Sequence, residues 1–122
     1  MTSTAQRRIA VGQYGEEVAA QRLRVEGLVV LDRNWRCSIG ELDLVCRDGN
    51  ELVAVEVKTR SGDLFGSPLE AVTPRKAARL RRLLAQWLGE HHMSPSGLRV
   101  DVVGVRVPAR GAAEVEHLRG VA

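Results

Sequence analysis

The sequence predicts a single α/β domain in which helices flank a mixed β-sheet, with elements in the order α-β-β-β-α-β-β. Three observations lead there. Apolar residues recur at spacings of three and four in two segments, one near the N-terminus and one following Thr73-Pro74. Two β-rich runs flank the turn signal Asp48-Gly49-Asn50, which reads as an antiparallel hairpin. A further β-rich run follows the second helix, and a helix between two strands is the usual crossover that makes them parallel. The domain is expected to span residues 1–122, with flexible ends at about 1–5 and 119–122.

In order, the first helix is expected from about Gln6 to Glu26. Val11, Tyr14, Val18, Ala19 and Leu23 form its apolar stripe, and Gly27 ends it. Gly12 and Gly15 lie one turn apart, and glycine in a helix interior costs up to about 1 kcal/mol relative to alanine. Such a pair implies that another element packs very close. Leu28 to Leu31 reads as a short strand, followed by polar Asp32-Arg33-Asn34 and amphipathic Trp35-Arg36. Glu41 to Arg47 and Leu52 to Thr59 form the hairpin, and Ser61 to Ser67 a loop. Thr73 caps the second helix, with proline at its first position. It runs to about His91, with Ala77, Leu80, Leu84, Trp87 and Leu88 inward and Arg75, Arg79 and Arg82 on the opposite, basic face. Leu98 to Val107 is a strand stopped by Pro108, and Ala113 to Leu118 a last one.

Composition narrows the function. Aromatic residues are 3% of the chain, which argues against a sheet that stacks RNA bases on exposed rings. A net charge of +3 is compatible with nucleic acid without requiring it. Cys37 and Cys46 lack partners for a zinc site or a disulfide framework, and His91, His92 and His117 have no ligand spacing. No run approaches the ~18–20 apolar residues of a membrane span, and residues 1–8 lack the apolar core of an export signal. A cytoplasmic protein with no membrane partner is expected. Ser or Cys nucleophiles are excluded because no motif sets a base beside either.

The chemistry concentrates in the hairpin. Lys58 and Lys76 are the chain's two lysines, and Lys58 lies in its most hydrophobic strand, where an idle lysine is costly. Alternation puts Glu56, Lys58 and Arg60 on one face and Val53, Val55 and Val57 on the other. A turn at Asp48-Gly49 sets Asp43 diagonal to Glu56; one at Gly49-Asn50 sets it directly opposite. A three-residue turn would reverse its face. Opposed Cβ atoms lie ~4.5–5.5 Å apart and diagonal ones ~7–8 Å, and either spacing lets two carboxylates converge on one cation. Lys58, ~6.6 Å further along the strand, is placed to position water or neutralise a phosphate beside it. Set against this is a plain ladder of surface charges. Asp101, inside the fourth strand, reads as a structural acid or an arginine partner.

Gly40-Glu41-Leu42-Asp43-Leu44-Val45 and Val53-Ala54-Val55-Glu56-Val57-Lys58-Thr59-Arg60 resemble the UPF0102 family. So do Gly12-Gln13-Tyr14-Gly15-Glu16, Asn34-Trp35-Arg36, Phe65-Gly66-Ser67-Pro68 and Glu70-Ala71-Val72. That family is in turn similar to PD-(D/E)xK nucleases of the restriction-endonuclease-like fold, including Holliday-junction resolvases. The resemblance implies Asp43 and Glu56 as ligands of Mg2+ or Mn2+, the Val57 carbonyl as a third, and Lys58 as the catalytic lysine. It implies Glu16 as a helical acid completing the site and Glu41 as support behind it. Leu42 stands where the name-giving motif has proline. The implied function is metal-dependent endonucleolytic cleavage of DNA, branched or single-stranded, with a homodimer as one arrangement. Arg60, Arg75, Lys76, Arg79 and Arg82 are the candidate phosphate contacts. The alternative is a catalytically inactive module on the same fold that binds nucleic acid or protein.

Overall fold

A computed structural model describes residues 3–62 and 67–121. Helix α1 (Thr4–Val25) precedes strands β1 (Val29–Cys37), β2 (Gly40–Asp48) and β3 (Glu51–Ser61). A 3-10 turn (Pro68–Ala71), helix α2 (Pro74–Gly89) and strands β4 (Gly97–Val107) and β5 (Glu114–Leu118) follow. The five strands form one sheet in sequence order, antiparallel except for the β3–β4 pair, which is parallel across the α2 crossover. The predicted element order and mixed α/β class are those observed. The loop expected over Ser61–Ser67 lies largely outside the described residues, as do Phe65 and Gly66.

The two helices cover opposite faces. Ala77, Leu80, Leu83, Leu84 and Trp87 of α2 pack on Leu42, Val45, Leu52, Ala54, Val100 and Val102. Ala19, Ala20 and Leu23 of α1 pack on Leu44, Cys46, Val53, Val55, Val103 and Val105. The central strands β3 and β4 are therefore apolar on both sides, which explains the continuous valine runs.

Three details differ from expectation. Strand β1 extends to Cys37 because its polar residues find partners in the fold. Trp87 Nε1 donates to Asp32 at 2.8 Å, and Arg33 pairs with Glu17 of α1 at 2.8 Å. The strand absorbs a bulge between Val30 and Asp32 and a left-handed Asn34 at φ 52°. Helix α2 stops at Gly89, two residues short of His91. On α1 the buried residues are Gly15, Ala19, Ala20 and Leu23, whereas Tyr14 is 50% exposed. The helix approaches too closely at Gly15 for large side chains to carry the contact.

The first and last described residues carry defined contacts. Ser3 caps α1, accepting from Gln6 N at 3.1 Å. Gly120 N donates to Asp101 at 2.9 Å and Val121 N to the Val100 carbonyl at 2.8 Å.

A Cβ added at Gly15 would lie 2.0 Å from Thr59 Oγ1 and 2.8 Å from Thr59 Cβ, so no rotamer of Thr59 clears it. At Gly12 the same atom would meet nothing within 4 Å. Gly15→Ala is expected to destabilise by about 1–3 kcal/mol through overpacking. Gly12→Ala should instead stabilise by up to about 1 kcal/mol from helix propensity. Urea denaturation of the two variants checks the contrast, and equal midpoints would contradict it.

Candidate active site

The hairpin register chooses between the alternatives left open by the sequence. Asp48 pairs with Glu51 and Leu44 with Val55, so the turn is Gly49-Asn50, with Gly49 at φ 59°. Positive φ at the first central residue alone fits a type II′ turn. Continuing this register brings Asp43 opposite Glu56.

The main-chain ladder ends one step earlier. Beyond Leu44–Val55, the Asp43 carboxylate takes over: its Oδ2 accepts from Val57 N at 2.9 Å. Alternation also slips here. Leu42 and Val45 pack on the α2 side, but Leu44 and Cys46 on the α1 side. The left-handed Asn34 lies between the β1 partners of Leu42 and Leu44, which ties the slip to the neighbouring strand. Asp43 therefore sits at a seam in the sheet.

Glu56 meets it there. The two carboxyl groups share a hydrogen bond. Burial, then this bond and the Glu56 charge, push Asp43 up to about 8. Burial also acts to raise Glu56, but the hydrogen bond from Asp43 and the Lys76 ammonium outweigh it and hold Glu56 below its ordinary value. Of the two, Asp43 is therefore the one that holds a proton more readily.

The cation on Glu56 is not the one two residues along the strand. Lys76, in the first turn of α2, reaches Glu56 Oε2 at 2.6 Å. Lys58 is half-buried, and among the described residues it forms no ion pair, although its charge also helps to lower Glu56. Its partner on β4 is Gly104, against which the Pro68 ring packs.

Glu16 stands half-buried on α1 beside Gly15, near enough for its charge to add to the upward shift of Asp43. Glu41 is engaged by Arg36 across the β1–β2 hairpin, and among the described residues no hydrogen bond joins it to Asp43 or Glu56. Arg75, Lys76, Arg79 and Arg82 line one basic surface on α2. Arg60 lies apart from them, exposed at the end of β3, its guanidinium on the Thr59 carbonyl at 3.3 Å. Among the described residues, no group of three His, Cys, Asp or Glu side chains is disposed to hold a metal ion.

Sequence reasoning missed the role of Lys76 at Glu56. The available signal was its rarity: it is one of two lysines, and it stands in the first turn of the crossover helix. A second missed cluster lies among Asp101, His117, Arg99 and Glu26. Asp101 is fully buried; it accepts from Arg99 at 2.9 Å, His117 Nε2 at 2.8 Å and Gly120 N at 2.9 Å. Asp101 is thus both structural and an arginine partner.

The model of the uncharacterised protein family UPF0102 matches residues 15–105. A UPF0102 protein of Frankia alni is 61% identical over 111 residues, covering 91% of this chain and 92% of its own. One from Beutenbergia cavernae is 62% identical over 112 residues, covering 92% and 95%. One from Kineococcus radiotolerans is 58% identical over 113 residues, covering 92% and 93%. By family match and by near full-length identity, the chain belongs to the UPF0102 family.

Proposed function

We propose that this protein is a metal-dependent endonuclease that hydrolyses phosphodiester bonds in DNA, with branched or single-stranded DNA as its substrate class. The observation that carries the reading is the meeting of the Asp43 and Glu56 carboxyl groups at the end of a shared ladder, with Lys58 next on the strand. Two carboxyl groups forced to share a proton are an arrangement that a divalent cation relieves. The donors are all oxygens, which suits Mg2+ or Mn2+, ions commonly held by one or two carboxylates together with waters and substrate phosphates.

Asp43 and Glu56 would hold the ion, with the Val57 carbonyl as a further oxygen and Glu16 as an acid approaching from α1. When bound, the ion would supply activated water and offset phosphate charge. Lys58 would hold the attacking water or a phosphate oxygen through its ammonium hydrogens. Lys76 would release Glu56 and turn toward phosphate, together with Arg75, Arg79 and Arg82. This reading also includes a cytoplasmic location and allows a homodimer. Among the described residues, no helix is long and apolar enough to cross a membrane.

The Lys76–Glu56 pair, which already neutralises one of the two carboxylates, favours a second reading, a binding module without turnover. Cleavage of single-stranded, flap and four-way-junction DNA with Mg2+, Mn2+ or EDTA decides between them. Cutting that requires metal and is lost in Asp43→Asn supports the nuclease. Asn can still accept from Val57 N, so the fold is kept. Undiminished cutting by that variant, or no metal-dependent cutting of any substrate, rejects it.

A further inference from the structure

An open groove of about 570 Å3 lies between the first turns of α1 and the last residues of β3. Arg7, Arg8, Arg60, Thr4, Thr59 and Ser61 are among the residues lining it, and among the described residues no Asp or Glu does. Many arginines elsewhere are already committed. Arg22, Arg33, Arg36, Arg99 and Arg119 all pair with carboxylates. Arg7 and Arg8 are exposed and form no ion pair among the described residues. The Ser3 cap and its Gln6 partner fix the turn from which both project. Three donor-only cations on a concave surface demand an anion with several charges along its length. A lone phosphate would satisfy one of them.

The groove and the candidate active site share strand β3. Arg60 lies two residues beyond Lys58, ~6.6 Å along β3. We propose that the groove seats the phosphodiester backbone of a nucleic-acid strand, binding phosphates adjacent to the one held at Lys58. This rests on the nuclease reading for its ligand class, but it concerns different residues and a different measurement. A membrane of anionic lipid is the competing source of phosphate. It suits a flat or convex surface with an apolar rim better than a concave groove.

The test is fluorescence anisotropy of a labelled single-stranded oligonucleotide with the full chain in EDTA, over a series of salt concentrations. Each phosphate contact contributes about 0.7 to the slope of log affinity against log salt for single strands. The variant Arg7→Ala/Arg8→Ala is expected to bind roughly tenfold more weakly and to lower that slope by about 1.4. Arg7→Lys/Arg8→Lys should restore the slope, because lysine keeps the point charge. An unchanged slope in the alanine variant overturns the proposal, as does wild-type binding to phosphatidylglycerol vesicles but not to the oligonucleotide. Binding through the groove by a protein that cuts no DNA with any metal would leave the groove standing and remove only the nuclease.

Discussion

Lys58→Ala is expected to lower metal-dependent DNA cleavage by about 10²–10³-fold, the usual effect of removing one donor aimed at developing charge. Stability and Mn2+ affinity should change little. The structure separates these quantities because Lys58 forms no ion pair among the described residues, and its β4 neighbour is Gly104. Truncation therefore strands no buried partner. Lys76→Ala is the informative comparison, since it removes the counter-charge of Glu56 at 2.6 Å. It is expected to alter Mn2+ affinity, because Glu56 would no longer exchange one cation for another. Single-turnover cleavage and calorimetric Mn2+ titration of both variants read the two effects. Full activity in Lys58→Ala, with loss confined to Lys76→Ala, would transfer the catalytic role to the helix lysine and sink the mechanism proposed for Lys58.

The second large effect is on folding. Asp101→Ala is expected to cost about 3–5 kcal/mol, the range for breaking a buried ion pair from one side. A chain of this length has a total stability on the order of 6–18 kcal/mol, so much of the margin would go. Arg99 would keep Asp48 and Glu51, but His117, 3% exposed, would lose its shorter carboxylate bond, and Gly120 N its acceptor.

The same cluster sets a pH window. Burial acts to lower His117, but hydrogen bonds and charge from Asp101 and Glu26 raise it above 6.5. Its contribution is complete below 6.5 and is lost as pH rises through the higher folded value. Burial acts to raise Asp101, but His117, Arg99 and Gly120 N hold it below 3.8. Its contribution is present above 3.8 and is lost as pH falls through the lower folded value. Urea denaturation should therefore show this cluster stabilising most between about pH 4 and 6.5. His117→Gln should flatten the alkaline decline, and an unaltered decline would show that His117 does not cause it.

The legible part of the site was its membership. Asp43, Glu56 and Lys58 stand out because carboxylates and a rare lysine interrupt β-rich runs, and a Gly-containing turn constrains their register. Residues joined by distant packing were not legible in the same way. Lys76 reaches Glu56 from an element twenty residues away, and the contact depends on where α2 docks. The polar Asp32-Arg33-Asn34 run was not legible as strand because Trp87 and Glu17, its partners, belong to the two helices. Tyr14 read as core because helical spacing cannot show that Thr59 presses on Gly15 and leaves room only for small residues.

Local periodicity and turn chemistry are short-range properties, so the sequence by itself determined the element order, the mixed sheet and the hairpin that brings Asp43 near Glu56. Only the tertiary structure decided which two-residue turn is used, and that alternation slips at Asp43 so that its carboxylate takes the Val57 N–H. It also decided which lysine neutralises Glu56. The reason is physical: hydrogen-bond and charge partners are chosen by proximity in space, and burial then sets how strongly each group must be satisfied.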